Sequence, residues 1–183
     1  MATEIKAPTP YEFNETDFTV FLGGSIEMGA AEMWQDRIVK DMAHHENVVF
    51  LNPRRDDWDS SWVQDPTEGT QFHEQVSWEM DMQEGADVHV YYFAKDTKSP
   101  ITLLELGRYG DTVSTVVCCP KEFWRYGNVK MLCDRYDIIL VETYEELVEV
   151  LGKGLTAIQG YETAYEELKR IMAEAFPDMD KDA

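Results

Sequence analysis

Glu105 is the residue of this sequence whose surroundings most strongly suggest chemistry. It lies in the segment Ser-Pro-Ile-Thr-Leu-Leu-Glu-Leu-Gly at 99–107, where most of its neighbours are apolar. Ser99 and Pro100 are typical of a helix N-cap and first turn, so we predict a helix with Glu105 in its second turn. A helix that is apolar nearly all round is buried, and a carboxylate within it should face a cleft. The alternative is an exposed position on an amphipathic helix.

Two more acids, Glu79 and Asp81, lie near the end of a predicted helix over 72–84, ahead of the apolar segment 87–93. Residues two apart in a helix point about 200° away from each other, so only one of these acids can face the cleft that Glu105 faces. In a chain this acidic, both could also be solvated surface residues.

Two further segments could contact a ligand. A pair of glycines at 23–24 precedes Ser25, and such a turn lets backbone and hydroxyl groups approach a ligand closely, although a tight turn alone explains the pattern equally well. The polar segment 54–70 is longer than most connections and contains Trp58 and Trp62. These tryptophans could form a lid that excludes water, with Trp58 stacked on a planar ligand.

Composition limits the classes of partner. The 183 residues carry a formal net charge of −20, which disfavours nucleic acid polymers and anionic membranes but not a small nucleoside. The sequence has no apolar run approaching roughly 18 residues, and its first residues are polar, so we expect a cytoplasmic protein with no membrane contact. The three cysteines have no CxxC spacing and predict reduced, buried thiols.

Strand and helix patterns alternate along the chain, which predicts an α/β fold of the flavodoxin-like, doubly wound type. We expect a five-stranded parallel sheet in the order 2-1-3-4-5 with helices on both faces. The predicted strands cover 18–22, 48–51, 87–93, 115–119 and 138–141. One domain over 17–176 should follow a loose lead-in at 1–16 and precede a frayed acidic tail at 177–183. Separate helices are expected near 144–151 and 161–175.

Several motifs resemble those of the nucleoside 2-deoxyribosyltransferase family and occur in the expected order between about residues 18 and 141. They are Phe-Leu-Gly-Gly-Ser-Ile at 21–26, Asn-Pro-Arg-Arg-Asp-Asp-Trp at 52–58, Trp-Glu at 78–79, the segment 99–107, and Tyr-Gly-Asn-Val at 126–129. Leu-Glu-Leu-Gly within 99–107 is the most specific of them. Many members carry an aspartate in a turn ahead of this motif, where this sequence has Lys-Ser-Pro-Ile-Thr.

The resemblance implies an enzyme that moves a 2-deoxyribosyl group between nucleobases and needs no cofactor or metal. It places the family's nucleophile on Glu105 and its second acid on Glu79, with Asp81 as the alternative register. It also implies a homo-oligomer in which Asn128 completes a neighbouring subunit's site. The other matching substrate-contacting positions are Gly24, Ser25, Ile26, Ser99, Thr102 and Trp58.

The chemistry of these residue types agrees with that implication. A carboxylate below the anomeric carbon can capture an oxocarbenium-like state, as in retaining glycosidases, while a second acid such as Glu79 protonates the departing base. The nucleophile must be ionised, and Tyr91 or Tyr92 could hold it in place. Two alternatives stay open: an N-glycoside hydrolase acting on a nucleoside or nucleotide, and a non-catalytic protein that binds a nucleotide derivative.

Overall fold

A single six-stranded parallel sheet organises the chain. The computed structural model describes residues 1–26, 32–57 and 62–175, and the sheet order is β1-β3-β2-β4-β5-β6. Its strands are β1 (Thr3–Lys6), β2 (Phe18–Gly24), β3 (Val48–Asn52), β4 (Val88–Tyr92), β5 (Ser114–Cys118) and β6 (Ile139–Val141). Every neighbouring pair is parallel.

The doubly wound, flavodoxin-like class is confirmed, but the expected number of strands is wrong. Strands β2 to β6 have the predicted 2-1-3-4-5 order, and the sixth strand comes from the segment expected to be a loose lead-in. Thr3–Lys6 adds to the outer edge of β3, with Thr3 opposite Val49 and Lys6 opposite Asn52. Four residues with a single apolar side chain carry too little periodicity to predict a strand. An edge strand takes its stability mainly from the backbone of its neighbour.

Helices cover both faces of the sheet. They are α1 (Trp34–Asp41), α2 (Gln71–Gly85), α3 (Pro100–Tyr109), α4 (Tyr126–Tyr136) and α5 (Tyr144–Ala175). Helices α1 and α5 pack on the face that carries Val20, Leu22 and Val90. Helices α2, α3 and α4 pack on the other face, against side chains that include Phe21 and Tyr91.

The period-two alternation of the strands divides the core between these faces. In β4, Val88, Val90 and Tyr92 belong to the α1–α5 side, whereas His89 and Tyr91 point toward α2 and α3 and are fully buried. Polar side chains of a central strand therefore lie directly beneath α2 and α3, the helices that carry Glu79 and Glu105.

The C-terminal region differs from its prediction. Two helices were expected, but α5 is one continuous helix through Gly152, Gly154 and Gly160. Glycine in a helix interior costs about 1 kcal/mol, and neighbouring apolar residues such as Leu151 and Leu155 are buried against the sheet, which outweighs that cost. The predicted tail at 177–183 lies outside the described residues, and so does Trp58.

The remaining sequence expectations concern membrane contact and the thiols. None of the helices in the described ranges is both long and apolar enough to cross a membrane. Cys118, Cys119 and Cys133 are free and buried, as predicted.

Candidate active site

Glu79 and Glu105 are brought together by the packing of α2 beside α3 on one face of the sheet. Each carboxylate accepts a hydrogen bond from a glutamine of α2: Gln75 Nε2 donates to Glu79 Oε1 at 2.8 Å, and Gln83 Nε2 donates to Glu105 Oε1 at 3.2 Å. The same Gln75 amide donates to the Pro53 carbonyl just after β3, again at 2.8 Å. The pair therefore lies near the carboxyl ends of the central strands, where parallel α/β sheets bind ligands.

Burial disturbs the ionisation of both carboxylates, and the charge of Glu79 adds to the effect on Glu105. Removal from water raises the pKa of Glu79 to about 7. Removal from water, and then the negative charge of Glu79, raise the pKa of Glu105 to about 8, although the Gln83 hydrogen bond acts in the opposite direction. No salt bridge among the described residues involves either group. Near neutral pH the pair therefore holds a proton that isolated glutamates would have lost.

The alternative acid, Asp81, lies elsewhere. It is exposed on α2, whereas Glu79 is half-buried on the face that meets α3. The two side chains lie on different sides of the helix, as the expected 200° separation predicts. Glu79 is the acid that interacts with Glu105. Glu105 is also only half-buried, so the pair remains accessible from one side.

The helix that carries Glu105 is less buried than its apolar sequence predicted. Ile101 and Leu104 are 58% and 68% exposed, whereas Thr102, Leu106 and Tyr109 are buried. Helix α3 is therefore amphipathic in its packing although not in its sequence. Glu105 lies at the border between its two faces.

Gln83 connects Glu105 to the sheet. Its Oε1 accepts a 2.9 Å hydrogen bond from the Tyr91 hydroxyl, and its backbone carbonyl accepts one of 2.8 Å from His89 Nε2. Tyr91 was suggested as a direct partner of Glu105, but its hydroxyl donates to Gln83 instead. Tyr92, the other suggested partner, donates to Glu32 on the opposite face of the sheet.

The two glutamines were not identified in the sequence, although a signal for them exists. Gln75, Glu79 and Gln83 follow each other at intervals of four residues, which places them on one side of α2. Both glutamines are buried, at 5% and 2% exposure. A polar stripe at helical spacing that points into a core is a pattern typical of functional sites, and it was hidden here among many acidic residues.

A second polar cluster joins the loops that follow β2 and β4. The hydroxyls of Ser25, Thr97 and Ser99 are buried and lie 2.6–2.9 Å from one another. Ser25 also accepts from the Ala94 amide at 2.9 Å, and Thr97 donates to the Ala94 carbonyl at 2.8 Å. Thr97 uses its one hydroxyl hydrogen in this way. Because Ser25 and Ser99 have one hydroxyl hydrogen each, at most two of the three contacts between these hydroxyls can be hydrogen bonds at the same time.

Ser99 occupies the predicted N-cap position of α3, but its hydroxyl does not cap the helix. Its backbone is left-handed, with φ 45° and ψ 52°, and no side-chain hydrogen bond reaches the first turn. The hydroxyl instead contacts Ser25 at 2.6 Å. The cluster thus fixes the start of the helix that carries Glu105.

The remaining predicted contact residues have separate positions. A Cβ at Gly24 would lie 2.6 Å from the Tyr92 carbonyl oxygen, so the close pairing of β2 with β4 requires glycine there. Ile26 is half-buried after β2, and Thr102 is buried one turn before Glu105. Asn128 is exposed in the first turn of α4.

The polar segment after β3 is partly tied to α2. Arg55 makes two hydrogen bonds with Asp57 and one with Glu74, and its guanidinium lies 4.9 Å from the ring of Trp62. Arg54 donates to the Glu32 carbonyl at 2.8 Å. The charge of Arg55 is therefore neutralised by carboxylates. Trp62, which belongs to the segment predicted to form a lid, lies beside the Arg55 guanidinium.

Taken together, the site offers two carboxylates at the carboxyl edge of a parallel sheet, one of which is protonated near neutral pH. Such a pair can combine a nucleophile with a general acid. Two hydrogen-bonding amides orient the carboxylates, and the interior of the sheet beneath them excludes water.

Comparisons with known proteins concern the fold and the family of this chain. A crystal structure of a conserved protein from Enterococcus faecalis V583 is similar, with a TM-score of 0.52 and 11% sequence identity, over 73% of this chain and 96% of that one. At this identity the likeness concerns the fold. No curated protein matches the chain. Residues 17–123, more than half of the sequence, match the family described as nucleoside 2-deoxyribosyltransferase like. The chain therefore belongs to the nucleoside 2-deoxyribosyltransferase-like family.

Proposed function

We propose that this protein transfers a 2-deoxyribosyl group from one nucleobase to another through a covalent intermediate on Glu105. The observation that carries the proposal is the carboxylate pair of Glu79 and Glu105, held by amides rather than by cations in a chain of this family. A salt bridge would weaken a carboxylate as a nucleophile and, by lowering its pKa, would leave it without a proton to donate near neutral pH. These two keep both capacities.

In the first step, a carboxylate oxygen of Glu105 attacks C1′ of the deoxyribose and forms an ester-like C–O bond. The C1′–N bond breaks, and its electron pair goes to the base nitrogen. Glu79 gives its proton to the base, which leaves neutral. In the second step, a nitrogen of the incoming base attacks C1′, the bond to Glu105 breaks, and Glu79 recovers a proton. Two inversions give overall retention.

In the free site the pKa of Glu105, about 8, lies above that of Glu79, about 7, so these roles require the shared proton to pass to Glu79 when substrate binds. The raised pKa of Glu79, to about 7, keeps part of the population protonated and able to act as an acid at neutral pH. Glu105 must be ionised to attack, and it shares its environment with that acid. When Glu79 holds the proton of the pair, the repulsion that raises the pKa of Glu105 is removed.

Other parts of the proposal extend beyond this pair. Small-molecule nucleosides and nucleobases are the proposed partners, and the protein acts in the cytoplasm as a homo-oligomer. Asn128 lies on the surface in the first turn of α4, a position from which it could reach a neighbouring subunit. If it completes a neighbour's site, activity per subunit should fall when the protein is diluted.

Hydrolysis of the same bond is the second candidate function. Its support is the partly exposed side chain of Glu105, which water could reach from the accessible side of the pair. Water would then take the place of the incoming base in the second step.

One assay tests the proposal and separates the two candidates. A purine or pyrimidine deoxynucleoside is incubated with the protein, with and without a second free base, and the products are separated by chromatography. A new deoxynucleoside indicates transfer, whereas free deoxyribose alone indicates hydrolysis. We expect Glu105→Gln to lower the rate by at least about 10³-fold, since it removes the nucleophile.

Intact-protein mass spectrometry provides the second measurement. Wild-type protein mixed with a deoxynucleoside should gain the mass of a deoxyribosyl group, and Glu105→Gln should not. A folded Glu105→Gln variant with normal exchange would overturn the assignment of the nucleophile.

A further inference from the structure

Gln83 has no role in the steps above, yet its side chain is buried and makes several hydrogen bonds. The side chain is 2% exposed. Its Nε2 donates both to Glu105 Oε1 at 3.2 Å and to the Glu79 backbone carbonyl at 3.1 Å, while Oε1 accepts from the Tyr91 hydroxyl at 2.9 Å. Both donors of this amide and one hydrogen bond to its oxygen are thus directed at the site or its supports.

These partners allow one orientation of the amide. A reversed amide would place Oε1 against the Glu79 backbone carbonyl, which can only accept, and against the Glu105 carboxyl, which only accepts when it is ionised. The Glu79 carbonyl would then lose a donor, and an ionised Glu105 would face a second oxygen. The amide is therefore held with its N–H groups toward Glu105.

The sheet holds the rest of the residue. His89 Nε2 lies 2.8 Å from the Gln83 backbone carbonyl, which can only accept, so this nitrogen carries the hydrogen. His89 and Tyr91 are both fully buried in β4, two residues apart and on the same side of the strand. One strand thus fixes both the backbone and the side-chain amide of Gln83.

We propose that Gln83 is a positioning residue whose amide donor favours the ionised form of Glu105 and directs its carboxylate, with Tyr91 and His89 fixing the amide from the sheet. The catalytic meaning of this inference rests on the proposed function, but the physical claim about Glu105 does not. The sequence motif that resembles the family does not include Gln83.

The charged and titratable groups around Glu105 come from three elements. Glu79 on α2 repels its negative charge, while Tyr91 on β4 and Tyr109 on α3 are close enough for their own pKa values to be raised by it. Against burial and Glu79, the Gln83 amide is the hydrogen bond that favours the ionised form. Its loss should therefore raise the pKa of Glu105 further.

The first test measures that pKa without any turnover. Protein labelled with ¹³C at the glutamate carboxyl carbon is titrated by NMR, and the Glu105 signal is assigned as the one missing in Glu105→Gln. Gln83→Met keeps the length of the side chain and removes both N–H donors. We expect it to raise the pKa of Glu105 by about 1 unit, because the free energy of a hydrogen bond to a charged group corresponds to a shift of that order.

Two further variants make the result decisive. Gln71→Met removes an exposed glutamine from the first turn of the same helix and should leave the titration unchanged. Tyr91→Phe frees the amide from the sheet and should shift the pKa upward by less than Gln83→Met does, which keeps the test available if Gln83→Met fails to fold. A Glu105 titration that is the same in wild type, Gln83→Met and Tyr91→Phe would overturn the inference.

The second test uses the exchange assay. Gln83→Met should lower kcat about tenfold at pH 7 with little change in KM, and the acid limb of the kcat profile should move to higher pH by the shift seen in the titration. An equal loss at all pH values would indicate a merely structural role. If wild type shows no turnover, the proposed function fails, and the titration still decides the role of Gln83.

Discussion

Two polar clusters lie at the carboxyl edge of this sheet, and they differ in how their hydrogen bonds and charges are satisfied. The hydroxyls of Ser25, Thr97 and Ser99 contact one another and the backbone of Ala94. The carboxylates of Glu79 and Glu105 receive one amide hydrogen bond each, and no described salt bridge balances their charge. One cluster is complete without a ligand, and the other is not.

This difference shows which of the polar groups predicted to contact substrate are available for chemistry. A hydroxyl that already makes three contacts gains little from a ligand and mainly stabilises the loops. A carboxylate whose charge is disfavoured by burial and by its neighbour gains from any event that removes or delocalises the charge. Ester formation at Glu105 is such an event. We therefore expect the hydroxyl cluster to position the site, and we propose the carboxylate pair as its reactive part.

Of the substitutions that distinguish the two clusters, Glu79→Gln should have the largest effect. Removing the proposed acid should lower kcat by about 10²–10⁴-fold with the fold intact. The same change removes the negative charge that helps raise the pKa of Glu105, so the acid limb of the remaining activity should move to lower pH. Steady-state exchange kinetics across pH 5–9 measure both changes.

Asp81→Asn is the matched control, since it removes a carboxylate from the same helix two residues away. Asp81 is exposed on the side of α2 that does not meet α3, so this variant should retain nearly all activity. If Asp81→Asn lost activity and Glu79→Gln kept it, the reactive pair would be wrongly assigned and the contrast between the clusters would disappear.

Ser25→Ala should lower the stability of the protein rather than the rate of exchange. It removes the acceptor of the part-buried Ala94 amide and the shared partner of the buried Thr97 and Ser99 hydroxyls. Leaving the Ala94 amide without this acceptor costs roughly 1–3 kcal/mol, and thermal denaturation should show a lower Tm. Activity per folded molecule should remain within a few-fold of wild type.

Ser114→Ala provides the comparison for that measurement. Ser114 is exposed at the start of β5, so its loss should change stability by less than about 0.5 kcal/mol. A Ser25→Ala protein with unchanged Tm and abolished exchange would mean that the hydroxyl cluster belongs to the reactive part of the site.

The fold was largely predictable because its signals are repeated along the chain. Five apolar strands that alternate with helices permit few arrangements once right-handed crossovers are required, and the order of those strands was confirmed. The missed strand, Thr3–Lys6, lacks a signal of its own because it depends on the backbone of β3. The missed continuity of α5 depends on tertiary packing, which overrides the low helix propensity of glycine.

The site was less predictable, because its geometry depends on contacts between helices. The sequence indicated Glu105 and restricted the second acid to Glu79 or Asp81, and the packing of α2 against α3 placed Glu79 next to Glu105. Gln75 and Gln83 were missed because their four-residue spacing with Glu79 is hidden among the many acidic residues of this chain. The predicted burial of α3 was wrong for a related reason. Ile101 and Leu104 are apolar, but no described element covers that face.

The smallest expected effect concerns the stability of the folded protein, which the burial of an ionised Glu105 lowers. The pKa of Glu105 is raised to about 8 from an ordinary value of 4.5, so the folded protein binds this proton more tightly than the unfolded chain. The resulting loss of stability is absent below pH 4.5, grows as pH rises, and is complete above about pH 8. Glu105→Gln removes it. The variant should therefore have a Tm a few degrees above wild type at pH 9 and close to wild type at pH 5.

Glu15→Gln serves as the control for that comparison, because it removes the same unit of negative charge from an exposed position. Lowering the net charge of −20 by one should raise Tm slightly in both variants, and only Glu105→Gln should show the additional increase between pH 5 and pH 9. If the two variants had the same pH dependence, Glu105 would be an ordinary solvated carboxylate. The charge imbalance that separates the reactive pair from the hydroxyl cluster would then be absent from the folded protein.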